Sequence, residues 1–199
     1  MDTAAHKLLA ITREAGLIRA RDLAPLGIAR VALTRAVRQG QLQRLGRGLY
    51  GLSTRPTSAH ATLAEVARRV PKGVICLLSA LRVHDLTTQA PYEVWVAIGS
   101  KAAVPKLGYP PLRIVRFSEP TLTAGVEEHQ VDGVTIHVTS VAKTVADCFK
   151  FRNKIGLDVA LEALREAWRE KRMTSDEIWR YAKLCRVANV MRPYLESLQ

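Results

Sequence analysis

At 199 residues the chain has room for one or two domains with a buried core. Its 48% hydrophobic and 24% charged content excludes an intrinsically disordered chain. A net charge of +12 and a pI near 10.1 point to a polyanionic partner rather than to any particular fold.

The N-terminus lacks the long apolar core of a secretory leader, and no run approaches the roughly 18 apolar residues of a membrane span. A cytoplasmic protein with no membrane partner is therefore expected. Cys76, Cys148 and Cys185 are odd in number and far apart, without a C-x-x-C or Cys/His ligand pair. They read as reduced core residues, and neither zinc nor any other metal or cofactor is expected.

Residues 17–52 predict a helix-turn-helix followed by a hairpin wing. RARDLAP gives a short helix and Leu26-Gly27 a break. Residues 28–39 then keep a helical period, with Ala29, Leu33, Ala36 and Val37 on an apolar face. Arg30, Val31, Thr34, Arg35 and Arg38 fall on the other side. Gly40 suits the left-handed position just past a helix end. QLQRL and GLYGL are short strands around the turn Gly46-Arg47-Gly48.

The major groove of DNA, about 12 Å wide, admits one such helix, and arginine's planar fork matches the two acceptors of guanine. Val31 can meet a thymine methyl, while Arg44 and Arg47 on the wing suit phosphates or the adjacent minor groove. An arginine-rich helix is by default a solvated face. Here the charge is concentrated: residues 1–60 hold ten Lys/Arg against three acids, +7 of the chain's +12.

STRPTS at 53–58 reads as a linker, giving a winged-helix domain over 1–52 and an α+β domain over 59–199. In the second part HATLAEVARRV predicts a helix stopped by Pro71-Lys72-Gly73, and VICLLSALRVHDL a largely buried strand-to-helix or helical segment. PYEVWVAI and PLRIVRF are strands, the latter half-exposed. VEEHQVDGVTIHVT is two strands joined at Asp132-Gly133. Helices follow: one opened by Ser140, one over LDVALEALREAWREK, and one behind a Thr174/Glu177 capping box. MRPYLESL is a last short helix entered by proline. The fold class is thus α+β, a winged helix-turn-helix followed by a small mixed sheet with a helical C-terminal tail.

Chemistry is sparse. Two-metal catalysis needs convergent carboxylates, yet the strands hold only Glu93, Glu127, Glu128 and the turn Asp132. No phosphate-binding glycine loop is present. His84, His129 and His137 lack a spaced partner and read as structural or surface residues. No catalytic residue is assigned. The most pointed polar cluster is Lys143, Asp147, Lys150, Arg152 and Asn153, a recognition surface on the helix at 140–154. The bland reading is an i, i+4 ion pair with a basic helix end.

RLGRGLYGL, SALRVHDLTTQAPYEVWVAI and TSVAKTVADCFKFRNKIGLDVALEALREA together resemble the AbiEi-type antitoxins of bacterial type IV toxin–antitoxin systems. The resemblance runs through nearly the whole chain and is most specific at 139–165. It implies an N-terminal winged helix that represses its own operon at promoter inverted repeats, with two copies pairing on the DNA. It further implies a C-terminal domain that counters a nucleotidyltransferase-type toxin encoded next door, without a stable complex. On the family pattern the DNA contacts fall on Arg30, Thr34, Arg35, Arg38 and the wing arginines. The extra C-terminal subdomain of longer relatives is not expected. Two other readings stay open: a DNA-targeted nuclease or nucleotidyl-modifying enzyme with a site hidden in 59–199, and a single-gene transcription factor sensing a small molecule.

Overall fold

The computed structural model describes residues 3–54 and 60–198. Two compact units emerge, one of 1–71 with 130–136, the other of 72–129 with 137–199. Most of the expected linker, 55–58, lies outside the described residues.

In the first unit, helix α1 (Thr3–Ala15) leads into strand β1 (Leu17–Arg19) and two 3-10 turns, Ala20–Asp22 and Ala24–Leu26. Those turns stand where RARDLAP predicted one helix; Pro25 lacks the N–H needed to continue a ladder. Gly27, at φ +69°, then reverses the chain in a conformation that a side chain disfavours. Helix α2 (Arg30–Arg38) follows, closed by Gly40, also at φ +69°. Strands β2 (Leu42–Gly46) and β3 (Leu49–Leu52) form the wing, with a bulge between Arg44 and Gly46.

β1 was not foreseen, and it completes a three-stranded antiparallel sheet in the order β1-β3-β2. Only three residues long, it carries no periodicity of its own. Leu8, Ile18, Leu23, Ile28, Ala32, Leu33, Ala36 and Leu42 form the core of this unit. Ala32 takes the core position expected of Ala29, which is exposed at the helix N-cap.

Helix α3 (Ala61–Arg69) belongs to the same unit. Arg68 ties it there, donating from Nε and Nη2 to the Leu17 carbonyl at 3.1 and 2.6 Å. These bonds satisfy a carbonyl of β1 and anchor the helix by a charged donor.

A mixed five-stranded sheet has most of its residues in the second unit, with 130–136 counted in the first. In chain order the strands are β4 (Val74–Ile75), β5 (Val94–Gly99), β6 (Leu112–Phe117), β7 (Val126–Val131) and β8 (Val134–Thr139), arranged β6-β5-β4-β8-β7. β5 pairs parallel with β6 and antiparallel with β4, while β4 pairs parallel with β8. The VWVAI run of β5 is buried on both faces, as its unbroken apolar sequence requires. Asp132 and Gly133 both take positive φ, the geometry of a two-residue hairpin turn.

Five helices of ordinary length build the other layer: α4 (Leu77–Val83), α6 (Val141–Lys150), α8 (Leu157–Arg169), α9 (Ser175–Leu184) and α10 (Ala188–Glu196). Of two short turns of helix, α5 (Glu119–Thr123) joins β6 to β7 and α7 (Arg152–Ile155) joins α6 to α8. α10 begins five residues before the proline-led start expected, and Pro193 sits inside it. Val145, Ala146, Phe149, Ala163, Leu164, Ile178, Ala182 and Met191 fill the core of this unit.

Candidate nucleic-acid interface

α2 owes its orientation to a narrow apolar stripe. Ala32, Leu33 and Ala36 are buried, so the opposite face turns outward. Arg30, Val31, Thr34, Arg35 and Arg38 are all exposed. Val31 is 64% exposed, an apolar side chain on a basic helix face with nothing in its own unit covering it. On the wing, Arg44 and Arg47 are also exposed. Arg44 Nε donates to the Gly46 carbonyl at 3.2 Å, which curls its side chain against the wing turn.

Between the start of α2 and the wing lies a groove of about 610 Å³. Arg19, Arg21, Arg30 and Arg47 line it, with Thr34 and Tyr50. Four guanidiniums around one concavity make a field that concentrates anions. Partial burial and the neighbouring Arg21 hold the Arg19 guanidinium below its ordinary pKa, although it remains a cation. Arg19 also donates to the Arg69 carbonyl at 3.4 Å, and Arg21 lies 3.7 Å from Asp22.

The groove thus joins Arg30, Thr34 and Arg47 from the sequence reading and adds the polar side chains of Arg19, Arg21 and Tyr50. Arg19 and Arg21 were counted in the charge excess but assigned to a helix. Their approach to α2 depends on β1 pairing with β3, where Arg19 stands opposite Leu49. Val31, Arg35, Arg38 and Arg44 stand on the exposed surface outside the groove lining.

This is also where the chain has a recognisable relative. The segment 6–53 matches the family model described as a transcriptional regulator, AbiEi antitoxin. The matched segment is about a quarter of the chain. The match includes α2, the wing and every residue of the arginine groove, so the groove lies within a segment similar to regulatory antitoxin domains. Its family description is that of a regulator rather than an enzyme. No curated protein matches the chain. Among the described residues no helix is long and apolar enough to cross a membrane.

The polar cluster of the second unit needs correction. Lys143 and Asp147 are not on a surface: their side chains are 0% and 2% exposed. Lys143 Nζ donates to both Asp147 oxygens, at 2.6 and 2.5 Å, and lies 4.6 Å from the Phe117 ring centre. Cys185 Sγ donates to the same carboxylate at 3.3 Å.

The reason is the packing of α6. It is enclosed by α4, α8 and α9, and every residue from Val141 to Phe149 is buried. Burial pushes the Asp147 carboxyl above its ordinary pKa, and Lys143 pulls it back. Lys150, Asn153 and Lys154 are exposed, and Arg152 donates to the Phe149 carbonyl at 2.9 Å, closing the helix end.

Proposed function

We propose that this protein is a DNA-binding antitoxin and autorepressor that occupies inverted repeats in its own promoter and counteracts a nucleotidyltransferase-type toxin. The observation that carries the reading is the arginine groove beside α2, within the segment that matches the AbiEi regulators. In this reading α2 enters the major groove, with Arg30 and Arg35 on guanine edges and Val31 against a thymine methyl. Thr34 and Arg38 flank them on the same helix. Arg44, Arg47, Arg19 and Arg21 neutralise the phosphates beside it.

One winged helix reads few base pairs, so two copies on two half-sites supply the specificity. The chain takes no catalytic part. Residues after the wing provide the antitoxin function, and the toxin is countered without a stable complex.

A mobility-shift titration with the chain's own promoter against random duplex tests the DNA half. Preference for the promoter is expected, with affinity falling steeply as salt rises because bound phosphates release counterions. Equal affinity for both duplexes overturns it. Purified protein incubated with plasmid, RNA and nucleotides in Mg²⁺ or Mn²⁺ should leave all three intact. Turnover that vanishes on replacing a single acid would restore the enzyme reading.

A further inference from the structure

The histidines that looked unpartnered in sequence are not all apart in space. His84, at the end of α4, and Glu127 and His129, on β7, each place one donor atom within 4.8 Å of the other two. The rings of His84 and His129 meet edge to face with centroids 5.7 Å apart. Glu127 and His129 are two residues apart on one strand, so they share a face. Glu128 points to the other side, where its carboxylate lies 3.5 Å from His137.

His84 is 4% exposed, and its Nε2 lies 2.7 Å from the Thr139 carbonyl oxygen. A carbonyl only accepts, so Nε2 carries the ring proton and Nδ1 keeps the lone pair. A neutral imidazole whose other N–H is fixed on a backbone carbonyl is the arrangement that orients metal-ligating histidines. On β7, His129 Nε2 and Glu127 Oε2 are 3.4 Å apart. Tetrahedral zinc with bonds of about 2.0–2.1 Å separates its donors by about 3.3 Å.

We propose that His84, Glu127 and His129 form a binding site for a divalent transition metal, Zn²⁺ fitting best. Two imidazoles and one carboxylate select Zn²⁺ and its neighbours over Mg²⁺ and Ca²⁺, which prefer all-oxygen shells. Three protein donors leave the fourth tetrahedral position to solvent or to an external ligand. The ion would clamp the end of α4 to β7, two elements that the chain otherwise links through the intervening strands.

The experiment is calorimetric titration of Zn²⁺ into the chelator-treated full chain, with Co²⁺ absorption as a second readout. One equivalent should bind, Co²⁺ should give the intense visible bands of a tetrahedral site, and Mg²⁺ should not compete. His84→Ala removes a buried side chain and can unfold the protein, so the deciding variants are Glu127→Gln and His129→Ala on the accessible strand. Each should weaken Zn²⁺ binding by at least about tenfold, the lower end of what losing even a supporting contact costs. Their melting temperatures without metal should stay unchanged. His137→Ala, on the opposite face, should bind as the parent does. Absence of stoichiometric binding, or an affinity equal to the parent's in both deciding variants, overturns the proposal.

Discussion

Lys143 and Asp147 are the residues whose environment departs most from their appearance. A lysine–aspartate pair four apart on a helix normally adds a few tenths of a kcal/mol at a surface. Here both charges are in the core, held by each other and by the Cys185 thiol. Removing one partner strands the other without water. Lys143→Ala should therefore cost about 3–5 kcal/mol, read by urea unfolding. Lys143→Met combined with Asp147→Leu should cost far less than either single change, because it removes the stranded charge.

The cysteines make a second prediction at this scale. Burial is the largest influence on Cys185, with the Asp147 charge next, and its thiol is pushed up to about 12. Cys76 and Cys148 are also buried, and burial raises both. Since the thiolate is the reactive form, a thiol reagent should find no fast-reacting group in the native protein and three after unfolding in denaturant. A rapidly labelled thiol in native buffer would contradict the burial of all three.

Among the elements, α9 has the clearest local code. Thr174 Oγ1 accepts from the Glu177 amide at 3.2 Å, and the Glu177 carboxylate accepts from the Thr174 amide at 2.8 Å. Both halves of the capping box were legible because they involve four consecutive residues. Thr174→Ala should lower stability by about 1 kcal/mol at neutral pH. The Thr174 amide and, after it, the Thr174 hydroxyl that the substitution removes hold the Glu177 carboxyl below its ordinary value of 4.5. The ionised form is therefore the one favoured by folding. Its stabilisation is present above pH 4.5 and is lost as pH falls through the lower folded value. In thermal melts, the gap between parent and Thr174→Ala should accordingly narrow on acidification below that point.

Ser140 is the counter-example. It stands at the N-cap of α6 as its residue type suggests, yet its side chain makes no capping bond and its Oγ is buried without a partner. Thr144 instead donates to the Thr139 carbonyl at 2.8 Å. A capping preference is a local tendency, and the close packing around α6 outweighs it here.

For the whole molecule, the proposed division of labour makes a separable pair of phenotypes. The groove-sized basic helix and its arginines lie in the AbiEi-like segment. Arg35→Ala should weaken operator binding in a mobility shift and leave protection from the toxin intact. Losing a guanine contact is worth about 1–3 kcal/mol and relaxes preference at one base pair, whereas Arg44→Ala should weaken binding on all sequences alike. Protection must be scored with toxin held constant from an unrelated promoter, since derepression would raise toxin dose. Lys150→Ala with Asn153→Ala, exposed on the second unit, is the complementary variant and should spare operator binding while reducing protection. Loss of protection in Arg35→Ala at constant toxin would refute the division.

By itself the amino-acid order determined what rests on neighbours in the chain: the basic face of α2, the glycines that end and reverse helices, the Asp132-Gly133 turn and the capping box of α9. Each depends on a few adjacent residues and on the 3.6- or two-residue period of their element. The tertiary structure decided what depends on which elements surround a residue. It added β1 to the wing sheet and so brought Arg19 and Arg21 to the groove. It enclosed Lys143 and Asp147, although nothing in their spacing separates a solvated helix face from a buried one. It also brought His84 to Glu127 and His129 across more than forty residues of chain. Burial and long-range proximity are properties of packed surfaces, and packing is settled only when every element competes for the same core.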